Sequence, residues 1–197
     1  MYQNLKTNRT MKKIAALLLC CAFGIAAMAQ SVTDPKYGKG AVKEVNGIVT
    51  FQKSLDVQGN SDAYESVLTW AKGRFNPPTV KTAKIARESK DDKAFTFISN
   101  EMLVFKLTDF FSDESEISYT FRVSVEGNSV KVTMSDIAYR YDGRSFKAED
   151  WISDKESINK KGTKFINTTK KFRIKTIDLY EDLCSQISQV LDGTYMD

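Results

Sequence analysis

Histidine is absent from this chain of 197 residues, and its absence closes several chemistries at once. Ser-His-Asp and Cys-His catalysis, histidine-ligated zinc and imidazole acid–base work all need the missing side chain. Cysteine is scarce: Cys20 and Cys21 stand side by side in an oily run near the start, and Cys184 stands alone near the end. Phosphate-cradling loops are lacking too. No Walker pattern occurs, and Gly38-Lys39-Gly40 has neither the third glycine nor the preceding strand of a dinucleotide loop. No window offers the alternating oxygen ligands of an EF-hand. Nothing here calls for a metal or a cofactor.

The apolar run at residues 14–29 is sixteen residues long, short of the roughly 20 a spanning helix needs. Lys12 and Lys13 precede it, and Ala27-Met28-Ala29 closes it before Gln30. A basic start, a short apolar core and a small-x-small exit predict a secretory signal peptide over residues 1–29, with translation from Met11 as an alternative to Met1. A lipid anchor on Cys20 or Cys21 is the rival reading, but Leu19 stands where a small residue should precede the lipidated cysteine. The expectation is export to the periplasm or beyond, without lipid, and a mature chain beginning at Gln30. The leader holds Lys6, Arg9, Lys12 and Lys13 and no acid, so its loss lowers the basic count from 29 to 25, equal to the 25 acids. A neutral chain gives no argument for nucleic-acid binding. Cys184 alone cannot form an internal disulfide, and the remaining length suits one domain.

After a polar, extended arm over residues 30–45 comes the body, residues 46–193. Val49, Phe51, Leu55 and Val57 share one face of a strand, with Lys53 breaking the alternation. Asn60 or Ser61 is placed to cap a helix that aligns Tyr64, Val67, Leu68, Ala71 and Phe75, and Asn76-Pro77-Pro78 stops it. Strands are predicted over 85–89, 93–107, 116–126 and 129–141, with Gly127-Asn128 as the turn between the last two. In the last strand the apolar set shifts phase, from Val130, Val132 and Met134 to Ile137, Tyr139 and Tyr141, which predicts a bulge near Ser135-Asp136. A helix over about 168–191, capped by Asn167 or Thr168, closes the chain. Its seam is Ile177, Tyr180, Cys184, Ile187 and Leu191, widened by Leu183 and Val190. The order β-α-β-β-β-β-α describes an α+β fold: a curved antiparallel sheet of about five strands with two helices on one face.

Three stretches carry a family resemblance: GAVKEVNGIVTFQKSLDVQG, EGNSVKVTMSDIAYRYDG and EDWISDKESINKKGTKFINTTKKFRIKTIDLYEDL. They resemble a secreted Gram-negative bacterial family of unknown function with a TATA-binding-protein-like fold, over roughly residues 40–193. The resemblance implies the fold and no activity, because fold does not transfer function.

Chemistry could reside in two acidic clusters, Asp109, Asp113, Glu114 and Glu116 or Glu149, Asp150, Asp154 and Glu156. Paired carboxylates run glycoside hydrolysis when held about 5 to 9.5 Å apart; solvated loop charge is the plainer reading. The basic run Lys160, Lys161, Lys164, Lys170, Lys171, Arg173 and Lys175 could meet an anionic envelope surface, or simply face solvent. Residues 141–162 form a long connection too apolar for a disordered linker, with Phe146, Trp151, Ile152 and Ile158. Trp151 is read as its anchor, or, beside Glu149 and Asp150, as an aromatic ligand platform. The function these readings favour is a non-catalytic binding domain of the cell envelope, with a protein or glycan partner and no nucleic acid. A histidine-free carboxylate hydrolase is one alternative. A structural envelope component that uses an open sheet edge is the other.

Overall fold

The computed structural model describes residues 31–57, 59–74, 79–108 and 110–195. The leader with Cys20 and Cys21, the Met11 start, Gln30, Phe75, the Asn76-Pro77-Pro78 stop and Asp109 all lie outside the described residues.

Among the described residues seven strands form one antiparallel sheet: β1 (Lys43–Val45), β2 (Ile48–Asp56), β3 (Val80–Ser89), β4 (Ala94–Thr108), β5 (Phe111–Glu126), β6 (Ser129–Tyr141) and β7 (Arg144–Lys147). Their spatial order is β1-β2-β6-β5-β4-β3, with β7 also paired to β6. Helix α1 (Ala63–Gly73), the single turn α2 (Asp154–Ser157) and the long α3 (Asn167–Asp192) complete the fold. Alternation aims Phe95 and Phe97 of β4, Tyr119 and Phe121 of β5, and Val132 and Met134 of β6 to one side, where all are buried. Both long helices pack there: Tyr64 and Trp70 of α1 meet Phe95 and Phe97, while Tyr180 of α3 meets Phe51 and Phe121. The opposite face, with Ser118, Thr120, Arg122 and Ser124 on β5, has no helix over it among the described residues.

The α+β class and the helices on one face agree with the sequence; the strand count does not. The two extra strands are short and hang on tight turns. Asn46 and Gly47 both have positive φ and join β1 to β2, and Asp142-Gly143 does the same between β6 and β7. Segment 141–162 is therefore no bare loop. After β7 it buries Ala148, Ile152 and Ile158 and turns once as α2. The N-terminal arm is not simply extended and polar, since Val32, Tyr37 and Val42 enter the core.

The expected bulge is present. Ser118 pairs with Ala138 but Thr120 pairs with Ser135, which leaves β6 one residue longer than its partner, with Asp136 at φ 53°. The extra residue keeps Met134, Ile137 and Tyr139 buried together. It also marks an exchange of partners, because β6 pairs with β2 up to Met134 and with β7 from Ala138.

The helix caps differ from expectation. Asp62 holds the N-cap position of α1, and Asn60 instead accepts the Asp62 N–H at 2.9 Å, closing a local turn. Ile166 holds that position in α3, so neither Asn167 nor Thr168 caps it. The chain there is fixed by the Ile166 N–H to Ser157 carbonyl bond at 2.9 Å.

Candidate functional site

A cleft of about 1050 Å³ opens between α1 and α3 above β4. Trp70, Thr69 and Arg74 come from α1 and the residue after it, Glu101 and Met102 from β4, and Leu179, Asp182, Gln186 and Val190 from α3. Glu101 follows Phe95, Phe97 and Ser99 on the inward positions of β4, so the strand period alone buries a carboxylate. A buried charge survives only when paired and hydrogen-bonded. Arg74 supplies the pair, with Nη2 at 2.9 Å from each Glu101 oxygen. Ser99 Oγ donates to Oε1 at 2.9 Å, and the Tyr119 hydroxyl donates to the same oxygen. Burial, together with this carboxylate, pushes the Tyr119 hydroxyl far above its usual range. Burial also opposes the charge on Arg74, yet Tyr119 and Glu101 hold its pKa above the ordinary value.

The network runs on to the surface. Gln186 Oε1 accepts the Trp70 indole N–H at 3.2 Å, and its amide donates to Asp182 at 2.7 Å. Arg74 Nη1 also reaches Gln186 Oε1 at 3.5 Å, so exposed Asp182 is linked through Gln186 to the buried ion pair. Among the described cleft residues, apolar wall comes from Trp70, Met102, Leu179 and Val190, and hydrogen-bonded polar groups come from Arg74, Glu101, Asp182 and Gln186.

The residues singled out from sequence fall elsewhere. Glu149 and Asp150 line a smaller hollow of about 440 Å³ beside the β6 bulge, with Gly47, Ile48 and Lys147. One Glu149 oxygen is taken by the Val49 N–H at 2.7 Å. Trp151 is half-buried outside that lining: it stacks on Phe146 at 4.1 Å and meets Phe172 edge-on at 5.6 Å.

The acidic clusters are largely committed to structure. Asp113 binds Lys171 and Tyr141, Glu114 accepts from Ser112, and Glu116 pairs with Lys81. Asp154 holds Arg173 and the Gly40 N–H. The basic run is not uniformly solvated either, because Arg173 is fully buried.

Sequence reasoning missed Trp70, Arg74, Glu101 and Gln186. The signal for Glu101 was present, as an acid in phase with the buried side of a strand. Trp70 follows Val67 by three positions, a helical step that continues the buried stripe.

Residues 51–140 match the family model of a domain of unknown function (DUF4468) with TBP-like fold. Over that stretch the chain is similar to DUF4468. A crystal structure of a DUF4468 family protein from Bacteroides ovatus is similar, with 26% identity and a TM-score of 0.72 over 80% of this chain and 94% of that one. A TBP-like protein from Parabacteroides distasonis shares the fold at 20% identity and a TM-score of 0.62, over 77% and 97% of the two chains. Curated proteins give no match. The DUF4468 match contains Trp70, Arg74, Glu101 and Tyr119 and ends before α3, which brings Asp182 and Gln186 to the cleft.

Proposed function

We propose that this protein is an exported, non-catalytic binding domain and that its ligand site is the cleft between α1 and α3. The observation that carries the reading is the Arg74–Glu101 pair, a nearly buried ion pair bonded through both carboxylate oxygens in the lining of an open cleft. Replacing such a pair by apolar packing is often neutral or stabilising, so stability alone does not explain it. Catalysis is disfavoured by the same geometry. Glu101 Oε1 accepts from Arg74, Ser99 and Tyr119 and Oε2 accepts from Arg74, so the carboxylate is engaged in holding its own neighbours.

The signal-like leader supports export, and no helix among the described residues is long and apolar enough to cross a membrane. Strand addition is a poor alternative, since edge strand β3 carries exposed Lys81, Lys84 and Arg87 with two register breaks, and edge strand β1 has three residues.

The second reading is a site at Glu149 and Asp150, which line the hollow beside the β6 bulge, with Trp151 next to them in sequence. A photo-crosslinking residue at exposed Thr69 or at Asp150, expressed in the native cell, tests both. Adducts at Thr69 that vanish when Gln186→Trp fills the cleft support the first site. Adducts at Asp150 alone overturn it in favour of the second.

A further inference from the structure

The hairpin joining β4 and β5 reaches past the sheet. β3 pairs with β4 only as far as Glu101, and β6 pairs with β5 only from Glu116. Between these points β4 and β5 form a two-stranded ribbon that closes with Thr108 opposite Phe111. Its base is held to the body. Leu103 is buried, Phe105 packs edge-on against Phe172 at 4.7 Å, and Asp113 binds Lys171 at 2.7 Å. Its end is not: Leu107 is 74% exposed, Phe110 99% and Phe111 59%.

We propose that this tip, with Leu107, Phe110 and Phe111, inserts shallowly into a lipid bilayer surface. Three large apolar side chains at one projecting point run against ordinary surface composition. Their arrangement selects the occupant. Opposed residues share a face and successive pairs alternate, so Leu107, opposite Ser112, and Phe111, opposite Thr108, project from opposite faces. Phe110 occupies the turn. A flat protein surface would cover one face and leave the other wet, whereas a lipid interface surrounds the whole tip.

The cleft of a second copy is a poor receptor, because an Arg74–Glu101 pair lies at its base. The described charged groups sit behind the apolar end, where Asp113 is paired with Lys171 and Glu114 accepts from Ser112. Three residues of strand span about 10 Å, the depth at which apolar groups reach the boundary between headgroups and acyl chains. The lipid needs no net charge. A tip of this size gives reversible, peripheral attachment.

Sedimentation of the purified protein with vesicles of pure phosphatidylcholine tests the proposal. The expected result is binding that high salt does not abolish. Each of Phe110→Ser and Phe111→Ser should weaken it about tenfold or more, with an unchanged melting curve. A second reading uses Phe110→Trp, whose emission should shift to shorter wavelength with vesicles and be quenched by brominated lipid. Trp70 and Trp151 give the background, measured on the parent chain. No vesicle binding by the parent overturns the proposal, as does equal binding by parent and Ser variants. Concentration-dependent self-association that the Ser variants abolish, with no lipid binding, assigns the tip to a second copy and also overturns it.

Discussion

Arg173 donates from Nε to the backbone carbonyl of Tyr37 at 2.7 Å, across 136 positions of sequence. The same guanidinium reaches the Gly38 carbonyl at 2.5 Å, the Ile152 carbonyl at 2.7 Å, Ser157 Oγ at 3.0 Å and Asp154 at 2.7 Å. One buried side chain thus ties the N-terminal arm, the segment after β7 and α2 to the first turns of α3. Burial holds its pKa below the ordinary arginine value, with Asp154 as the opposing partner. Arg173→Ala leaves these acceptors buried without donors, and should cost about 3–5 kcal/mol in denaturant unfolding. Arg173→Lys should restore little of it, since an ammonium cannot reproduce the planar fork.

Gly38 makes that contact possible. A Cβ at this position would lie 2.1 Å from the Val32 carbonyl oxygen and 2.7 Å from that of Asp34. Gly38→Ala must displace the backbone that presents its carbonyl to Arg173. The expected outcome is a loss of about 1–3 kcal/mol and faster proteolysis of the arm, read by limited digestion.

The Asp113–Lys171 clamp sets a pH window. Desolvation raises the Asp113 pKa, but hydrogen bonds from Lys171 and Tyr141 outweigh it and hold it below the usual carboxylate value. A depressed folded pKa contributes stability above the unfolded value, about 3.9, that is lost as pH falls through the folded value. Desolvation lowers the Lys171 pKa, but the Asp113 and Tyr141 hydrogen bonds raise it overall. That contribution is present below about 10.4 and is lost as pH rises through the folded value. The stability difference between the parent and Asp113→Asn, followed by denaturant midpoint, should be flat between these limits and shrink beyond either. A pH-independent difference would count against the clamp.

Cys184 is buried, and desolvation pushes its thiol up to about 11. Reaction with a thiol reagent near pH 8 should be slow and follow the rate of unfolding. Fast labelling of the native protein would contradict this.

The β6 bulge makes a directional claim. Asp136 sits at φ 53°, where a β-branched residue is strained and glycine is not. Asp136→Gly should leave stability within about 1 kcal/mol, whereas Asp136→Val should destabilise. Deleting Asp136 should abolish folding, because it turns either Met134 or Ile137 and Tyr139 out of the core. Thermal melts of the three variants separate these outcomes.

Local periodicity made much of this molecule legible before any coordinates. The inward positions of β5, the seam of α3 and the phase break in β6 are all short-range patterns, and the α+β class follows from them. The sequence also carried the Asn46-Gly47 and Asp142-Gly143 turns, whose short strands fell below the length at which alternation is informative. Arg173 is the sharper case. It stands four positions before Ile177 and seven before Tyr180, in phase with the buried seam, yet a run of lysines around it made it look solvated. Whether a charge in phase with a core is buried depends on its partners. Here those partners are carbonyls of Tyr37 and Gly38 and the carboxylate of Asp154, far apart along the chain. The cleft has the same origin: Arg74, Glu101 and Gln186 come from three separate elements, and no spacing rule relates them. Periodicity is a property of neighbours in sequence and so can be read from it, whereas convergence of polar groups depends on how α1, β4 and α3 pack, which only the tertiary structure decides.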